Sequence, residues 1–506
     1  MAGRAVIAAA IRGAKTPDAE RYAAACDNEK KWRFQYQKHF MNMVKVSAES
    51  PEAALGVANA GADYMHSAFD FVDPVTGDVT NFAAYMDNAS SYGTFHLGTI
   101  NGTGSDAPKP LVVSYKGKDL SGAALKDQLA KWATYGTIEP DAANTLSKLA
   151  EGPVNLKGQH FVLIGAGSAM GPFYKLLEHG ATLVCIDIPG TMGQRAADMW
   201  ARLFKAARES SGSIIFPMTK PQKECKTDEE VIQHVGCNLI EQPAQILNFL
   251  SDIAKGKPLT IGNYTYLDGD LHVKLSLAAD AIIKHMRLRR PNDVAAAFLC
   301  TPTDIHAVPD AAHRAAVKNY GLHPGRLLEG VIQLLSMGKF LRKNALPPLK
   351  NNIKVVDGLS VAQGPNYALA KRLQHWRSMI EYDAGGIVST SIAPSTATLS
   401  VVSNKTFGWA YGGMPYFKPF EIFQQETTNA VMGGLLIADV TQGDSAKNPK
   451  NRKMYEIKNT MELFKHNSVH GGVWRCAYKV DSIGETSVLI HFLGGPSTFL
   501  YVIACI

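Results

Sequence analysis

The stretch "FVLIGAGSAMGPFYKLLEHGATLVCIDIPG", residues 161–190, decides how the chain is read. It runs from an apolar segment through a glycine-rich corner and an amphipathic segment to a second apolar segment ending in Asp187. Short apolar runs bounded by turn residues read as buried strands, and strand–helix–strand units give parallel pairs. Gly165, Gly167 and Gly171, with Ser168, Ala169 and Met170 between them, stand where a sharp turn and close approach of a pyrophosphate require small residues. Asp187 ends the next strand, where an acid can bond an adenosine ribose.

Outward from this unit, strands alternate with helices. Strand candidates are "SIIFPM", "PLTIGNYTYL", "VAAAFLC", "IKVVDGLS" and "GGIVSTSIA", with helices such as "DLHVKLSLAADAIIKHMRL" between them. That alternation predicts an α/β fold with a doubly wound, mostly parallel sheet covered on both faces. Residues 1–155 read as a mostly helical N-terminal region, 156–440 as the nucleotide-binding catalytic domain with insertions, and 441–506 as a C-terminal extension. Ser50-Pro51-Glu52 is a capped helix start. The segment from Ser90 to Pro110 reads as loop, and "SVLIHFLGGPSTFLYVIACI" as two strand-length halves split at Gly494-Gly495-Pro496.

Composition excludes several classes. With 506 residues, 46% hydrophobic and 19% charged, the chain is globular, with a large core. The net charge of +7 is scattered; its densest cluster, Arg287, Arg289 and Arg290, has no aromatic platform, so no nucleic acid partner is implied. No apolar run reaches about 18 residues, so no membrane-spanning helix is expected. The seven cysteines form no C-x-x-C pair, which argues for a reducing compartment and against zinc. His466 and His470 are spaced i, i+4, but Gly471-Gly472 make this segment a turn rather than a helix, so no metal site is expected. The N-terminal "MAGRAVIAAAIRGAK", basic and free of acids, weakly resembles an organelle presequence. It is read as a retained helix in a cytoplasmic protein, the organelle matrix being the alternative. The apolar helix "GRLLEGVIQLLSMGKFLRK" suits the core or a contact between copies, which is compatible with a homo-oligomer.

"GAGSAMG" resembles the "GAGSGIG" of the short-chain dehydrogenase/reductase family, and "ATLVCIDI" resembles that family's "GAxVxxxD" strand. "NYALAK" supplies Tyr367 and Lys371, the only Tyr-x-x-x-Lys pair in the chain. Residues i and i+4 share a helix face, so an ammonium there lowers the phenol pKa and lets the phenol exchange a proton with a carbonyl or alcohol. In the resembled family, strand five ends in Ser before the Tyr helix, and strand six leads to a Thr against the cofactor. Ser360 and Thr396 follow that order, Ser360 closer to the Tyr than is usual. Thr301 of "FLCTPTD" stands where the family has "NNAG".

The resemblance covers about residues 158–440 and implies a Rossmann-type fold and an oxidoreductase. Hydride would pass between nicotinamide and a small-molecule carbonyl/alcohol substrate. Tyr367 would be the acid/base, Lys371 its modulator and ribose contact, and Ser360 or Thr301 a donor to the substrate oxygen. Asp187, with no basic residue close behind it, favours NAD(H) over NADP(H). The alternatives are an S-adenosylmethionine-dependent methyltransferase, whose first strand usually carries an acid that Phe161–Ile164 lacks, and a non-catalytic Rossmann-type scaffold. "GNYTYLDGDLH" adds Asn263, Tyr264, Tyr266, Asp268, Asp270 and His272 at a strand-to-helix turn, either a ligand contact or a plain capped turn.

Overall fold

A computed structural model describes residues 2–105, 107–321 and 327–492. Its centre is a seven-stranded sheet: β1 (His96–Asn101), β2 (His160–Ile164), β3 (Thr182–Ile186), β4 (Ser213–Met218), β5 (Leu259–Asn263), β6 (Val294–Phe298) and β7 (Val388–Ser389). Their order across the sheet is β7-β6-β5-β2-β3-β4-β1, with every neighbouring pair parallel except β4–β1. Successive strands leave β2 in one direction and then, from β5, in the other. The crevice between the C-terminal ends of β2 and β5 is therefore the point where connections diverge, the usual ligand position in such sheets.

Alternation along the strands divides the core. Phe161, Leu163, Leu183, Cys185 and Ile214 face one apolar layer, while Val162, Ile164, Val184, Ile186 and Ile261 face the other. The first layer contains α5 (Gly122–Tyr135), α6 (Pro140–Glu151), α7 (Phe173–Glu178), α8 (Gln194–Glu209) and α12 (Gln425–Thr441). The second is built from α1 (Ala2–Gly13), α2 (Ala19–Asp27), α3 (Trp32–Ser47), α4 (Pro51–Ala68), α9 (Pro243–Asp252), α10 (Asp270–Arg289) and α11 (Pro365–Asp383). The capped start at Ser50 forms as read: its side chain accepts from the Ala53 N–H at 3.0 Å, with Pro51 in the first turn. Helix α1 buries Val6, Ile7, Ala10 and Ile11.

Four segments differ from the sequence reading. Residues 96–101 are a strand rather than loop; Gly98 and Ile100 face inward and the other side chains are more exposed, a polar edge strand that composition conceals. "IKVVDGLS" contributes Val355–Asp357 to a small antiparallel pair with Ile305–Ala307, outside the central sheet. An apolar run of strand length does not say which sheet it joins. In the described part of "GRLLEGVIQLLSMGKFLRKNA", only Leu327–Leu335 is helical. Residues 487–492 belong to a helix, Val480–Phe492, and the Gly494-Gly495-Pro496 break lies outside the described residues.

Helix α11 is buried along most of its length and is tied to its neighbours by charge. Arg377 donates to both carboxylate oxygens of Asp280 on α10, each at 2.8 Å, and His66 on α4 reaches the same carboxylate at 2.7 Å. Arg377 and Arg287 also bracket Glu381. Burial alone would raise the Asp280 pKa, but the Arg377 charge and hydrogen bonds, with help from His66, hold it well below the usual carboxylate range. Removing one partner of a buried pair strands the other charge. Asp280→Ala should therefore lower unfolding stability by about 3–5 kcal/mol, read as an earlier urea midpoint at unchanged slope. A midpoint within error of wild type would show that the network does not hold α11.

Candidate functional site

The glycine-rich corner closes at the C-terminal end of β2. Gly165 has φ of +88°, a left-handed backbone that suits glycine, and its N–H donates to the Ile186 carbonyl at 2.8 Å. A Cβ on Gly167 would lie 2.1 Å from the Met199 sulfur of α8, so a larger residue there would displace that side chain. Ser168 and Gly171 continue the turn through N–H bonds to Gly165 and Ser168 carbonyls, at 3.1 and 3.0 Å. Ala169 accepts from Asn429 of α12 at 2.9 Å, and Met170 lines a narrow cleft with Pro172, Tyr264, Phe298, Ser389 and Met432.

Asp187 stands against this corner. One carboxylate oxygen accepts the Gly167 N–H at 2.7 Å and the other the Ile188 N–H at 2.8 Å. Burial raises its pKa, and the two backbone donors counter that only in part. A carboxylate has about four lone-pair sites, so each oxygen keeps capacity for a second donor. The helix following the corner, α7, starts only at Phe173 and spans six residues, so the corner's own backbone, more than a long helix dipole, forms this wall.

Tyr367 and Lys371 open α11 at the same edge of the sheet. The Tyr367 ring stacks on His272 of α10, with centroids 5.6 Å apart and an interplanar angle of 11°, and meets Tyr266 edge-on at 6.3 Å. Thr301, whose Oγ1 is 2.8 Å from that of Thr303, lies near enough to the Tyr367 hydroxyl to act on it. Lys371 Nζ lies 6.0 Å from the Tyr367 ring centre and donates to the Leu299 carbonyl at 3.2 Å and to Gln374 at 3.3 Å. The corner and this cluster are joined through the β5 exit: a Cβ on Gly165 would sit 3.1 Å from Thr265 N, and Tyr266 follows one residue later.

The electrostatics differ from the expected pairing. Burial raises the Tyr367 phenol, and the Thr301 hydroxyl, not Lys371, acts in the other direction. Burial brings Lys371 down to about 8, because a carbonyl and an amide replace the water an ammonium would hold. His272 is pushed down to about 3 by burial and then by the Lys371 charge, so it is a neutral imidazole. Its Nδ1 is within 3.4 Å of the Leu267 N–H, and its buried Nε2 has no hydrogen-bond partner.

Thr396 accompanies the corner. Its hydroxyl is 2.8 Å from that of Thr428, one residue before the Asn429 that holds Ala169. Ser360 does not join the cluster: it caps the short turn at Val361–Gln363, accepts from the Ala362 N–H at 3.3 Å, and faces Asp481 at 3.5 Å. Because Val355–Asp357 leaves the central sheet, the chain reaches Tyr367 by a different route from the one order alone suggests. Of the residues in the strand-to-helix turn after β5, the structure brings His272 and Tyr266 against Tyr367. The turn "GNYTYLDGDLH" signalled them, being the exit of a central strand. No protein-family model matches the chain, and no curated protein matches it.

The Lys371 shift has a signed consequence for stability. Between about pH 8 and the ordinary lysine range near 10.5, the unfolded chain holds the proton that the folded chain has released. This group's contribution therefore rises with pH across that window and is an unrelieved penalty below it. Lys371→Met should raise the melting temperature at pH 7, and the gain over wild type should shrink as pH climbs from 8 to 10.5. A gain independent of pH would show that ammonium burial is not its source.

Proposed function

We propose that the chain is an oxidoreductase of the short-chain dehydrogenase/reductase type, using NAD(H) in preference to NADP(H) on a small carbonyl/alcohol substrate. One observation carries the reading. The glycine corner with Asp187, and Tyr367 with Thr301 and Lys371, share the C-terminal edge of a single sheet. Counted from β2, its six parallel strands run 3-2-1-4-5-6, the order of Rossmann-type dinucleotide-binding domains.

The residues present suit a dinucleotide. Gly165 and Gly167 let the corner turn tightly at the C-terminal end of β2, and Asp187 keeps lone pairs for a ribose hydroxyl. A bound nicotinamide would supply or accept the hydride; the chain handles the proton. The phenol of Tyr367, raised by burial, is neutral at physiological pH and so is set up to donate to a carbonyl oxygen that becomes negative as its carbon takes hydride. Thr301, beside the phenol, would steady the same oxygen or the phenolate left behind. Lys371, with its pKa near 8, returns a proton at little cost. Neutral His272 adds a flat wall without competing charge.

Calorimetry of the pure chain with NAD(H), NADP(H) and S-adenosylmethionine separates the readings. Binding of NAD(H) is expected; binding of the methyl donor alone would make the chain a methyltransferase, and binding of none would favour a scaffold. Asp187→Ala should weaken NAD(H) far more than NADP(H), since the acid bonds a 2′-hydroxyl and repels a 2′-phosphate. Equal losses would remove it from the ribose.

Tyr367→Phe should lower turnover of any carbonyl the wild type reduces by about 10²–10⁴, with cofactor affinity nearly intact. Unchanged turnover would take the acid/base role away from Tyr367.

A further inference from the structure

Beneath the Tyr367 cluster lies a second group of chemistry-bearing side chains that this reaction does not use. Asp304 and His306 follow β6, and His375 stands on α11; their relative exposures are 1%, 2% and 1%. One donor atom from each lies within 4.8 Å of the other two. Arg372 pairs with one oxygen of Asp304, leaving Oδ2 without a hydrogen-bond partner. Both ring nitrogens of His375 also lack one, although Nδ1 is only 3.4 Å from that oxygen. An unpaired buried polar atom is costly, and here Asp304 Oδ2 and one nitrogen of His375 are both unpaired and face each other. His306 bonds the Thr301 carbonyl through Nε2 at 2.8 Å, which leaves Nδ1 as its lone-pair nitrogen. That is the habit of metal-bound histidines, whose second nitrogen is held by a carbonyl or carboxylate.

We propose that Asp304, His306 and His375 form a buried site for one first-row transition ion of the Zn²⁺ class. Two imidazoles and one carboxylate suit such an ion, whereas Mg²⁺ and Ca²⁺ take mainly oxygen. Arg372 occupies only Oδ1, so it orients the carboxylate while Oδ2 stays free for the ion. Phe464 packs on both histidine rings and Trp474 on His306, which keeps water from competing. The ion pins α11 to the segment after β6. Tyr367, Lys371 and His375 are spaced i, i+4 and i+8 along one helix stripe, so fixing His375 fixes the face that presents the other two.

The full chain, freed of metal by a chelator, should bind one equivalent of Co²⁺ with visible ligand-field bands, and Zn²⁺ should displace it. X-ray absorption of the Zn²⁺-loaded wild type should show two imidazoles in the first shell. Asp304→Asn and His375→Gln, checked for native far-UV circular dichroism, should lose the bands, while Tyr367→Phe should keep them. Failure of wild type to bind Co²⁺ or Zn²⁺ saturably, or a first shell without imidazole, overturns the site even if the substituted chains do not fold. Neither readout involves nicotinamide, so the result is independent of the proposed reaction.

Discussion

Arg377 and Asp280 meet through two hydrogen bonds of 2.8 Å inside an apolar layer, with His66 on the same carboxylate and Glu381 on the guanidinium. Two ions removed from water are stable only when every donor and acceptor is used, and that demand leaves α11 little freedom to rotate or slide. Three helices from distant parts of the sequence are locked at this point. Everything α11 carries toward the sheet edge takes its position from that lock: Tyr367, Lys371 and Arg372 near its start, and His375 one turn beyond Lys371.

Burial then decides the chemistry. The same apolar layer that makes the Asp280–Arg377 pair rigid strips water from Tyr367, Lys371 and His272, and each responds in the direction that disfavours charge. The result is a neutral phenol and an uncharged imidazole beside an ammonium that releases its proton more readily than an ordinary lysine. Asp187, at the other end of the crevice, is also raised by burial but retains two backbone donors, which orient it toward the corner.

Much of this was legible from residue order alone. The apolar runs at 161–164, 182–186, 213–218, 259–263 and 294–298 are strands of one sheet, because β-length apolar segments between helices have few other places to go. The pieces that escaped did so for physical reasons. Residues 96–101 are polar on their exposed side and lean on β4, a partner more than a hundred residues away, which no local pattern announces. Val355–Asp357 has strand composition but is paired with Ile305–Ala307 instead, which moved Ser360 away from the Tyr367 cluster. At the site, the i, i+4 spacing correctly put Tyr367 and Lys371 on one stretch of helix. Spacing could not tell that the ammonium would turn to the Leu299 carbonyl. Asp304, His306 and His375 carry no motif, since the fold alone brings the third to the first two.

The central claim is that the glycine corner and the start of α11 are two walls of one cleft. Hydrogen–deuterium exchange of the chain with and without saturating NADH tests it most directly. Slowed exchange is expected in two separated segments, the corner around 165–171 and the α11 start around 365–371, with little change in α5 or α6. Protection at only one of the two, or at neither while NADH is bound, would contradict the account.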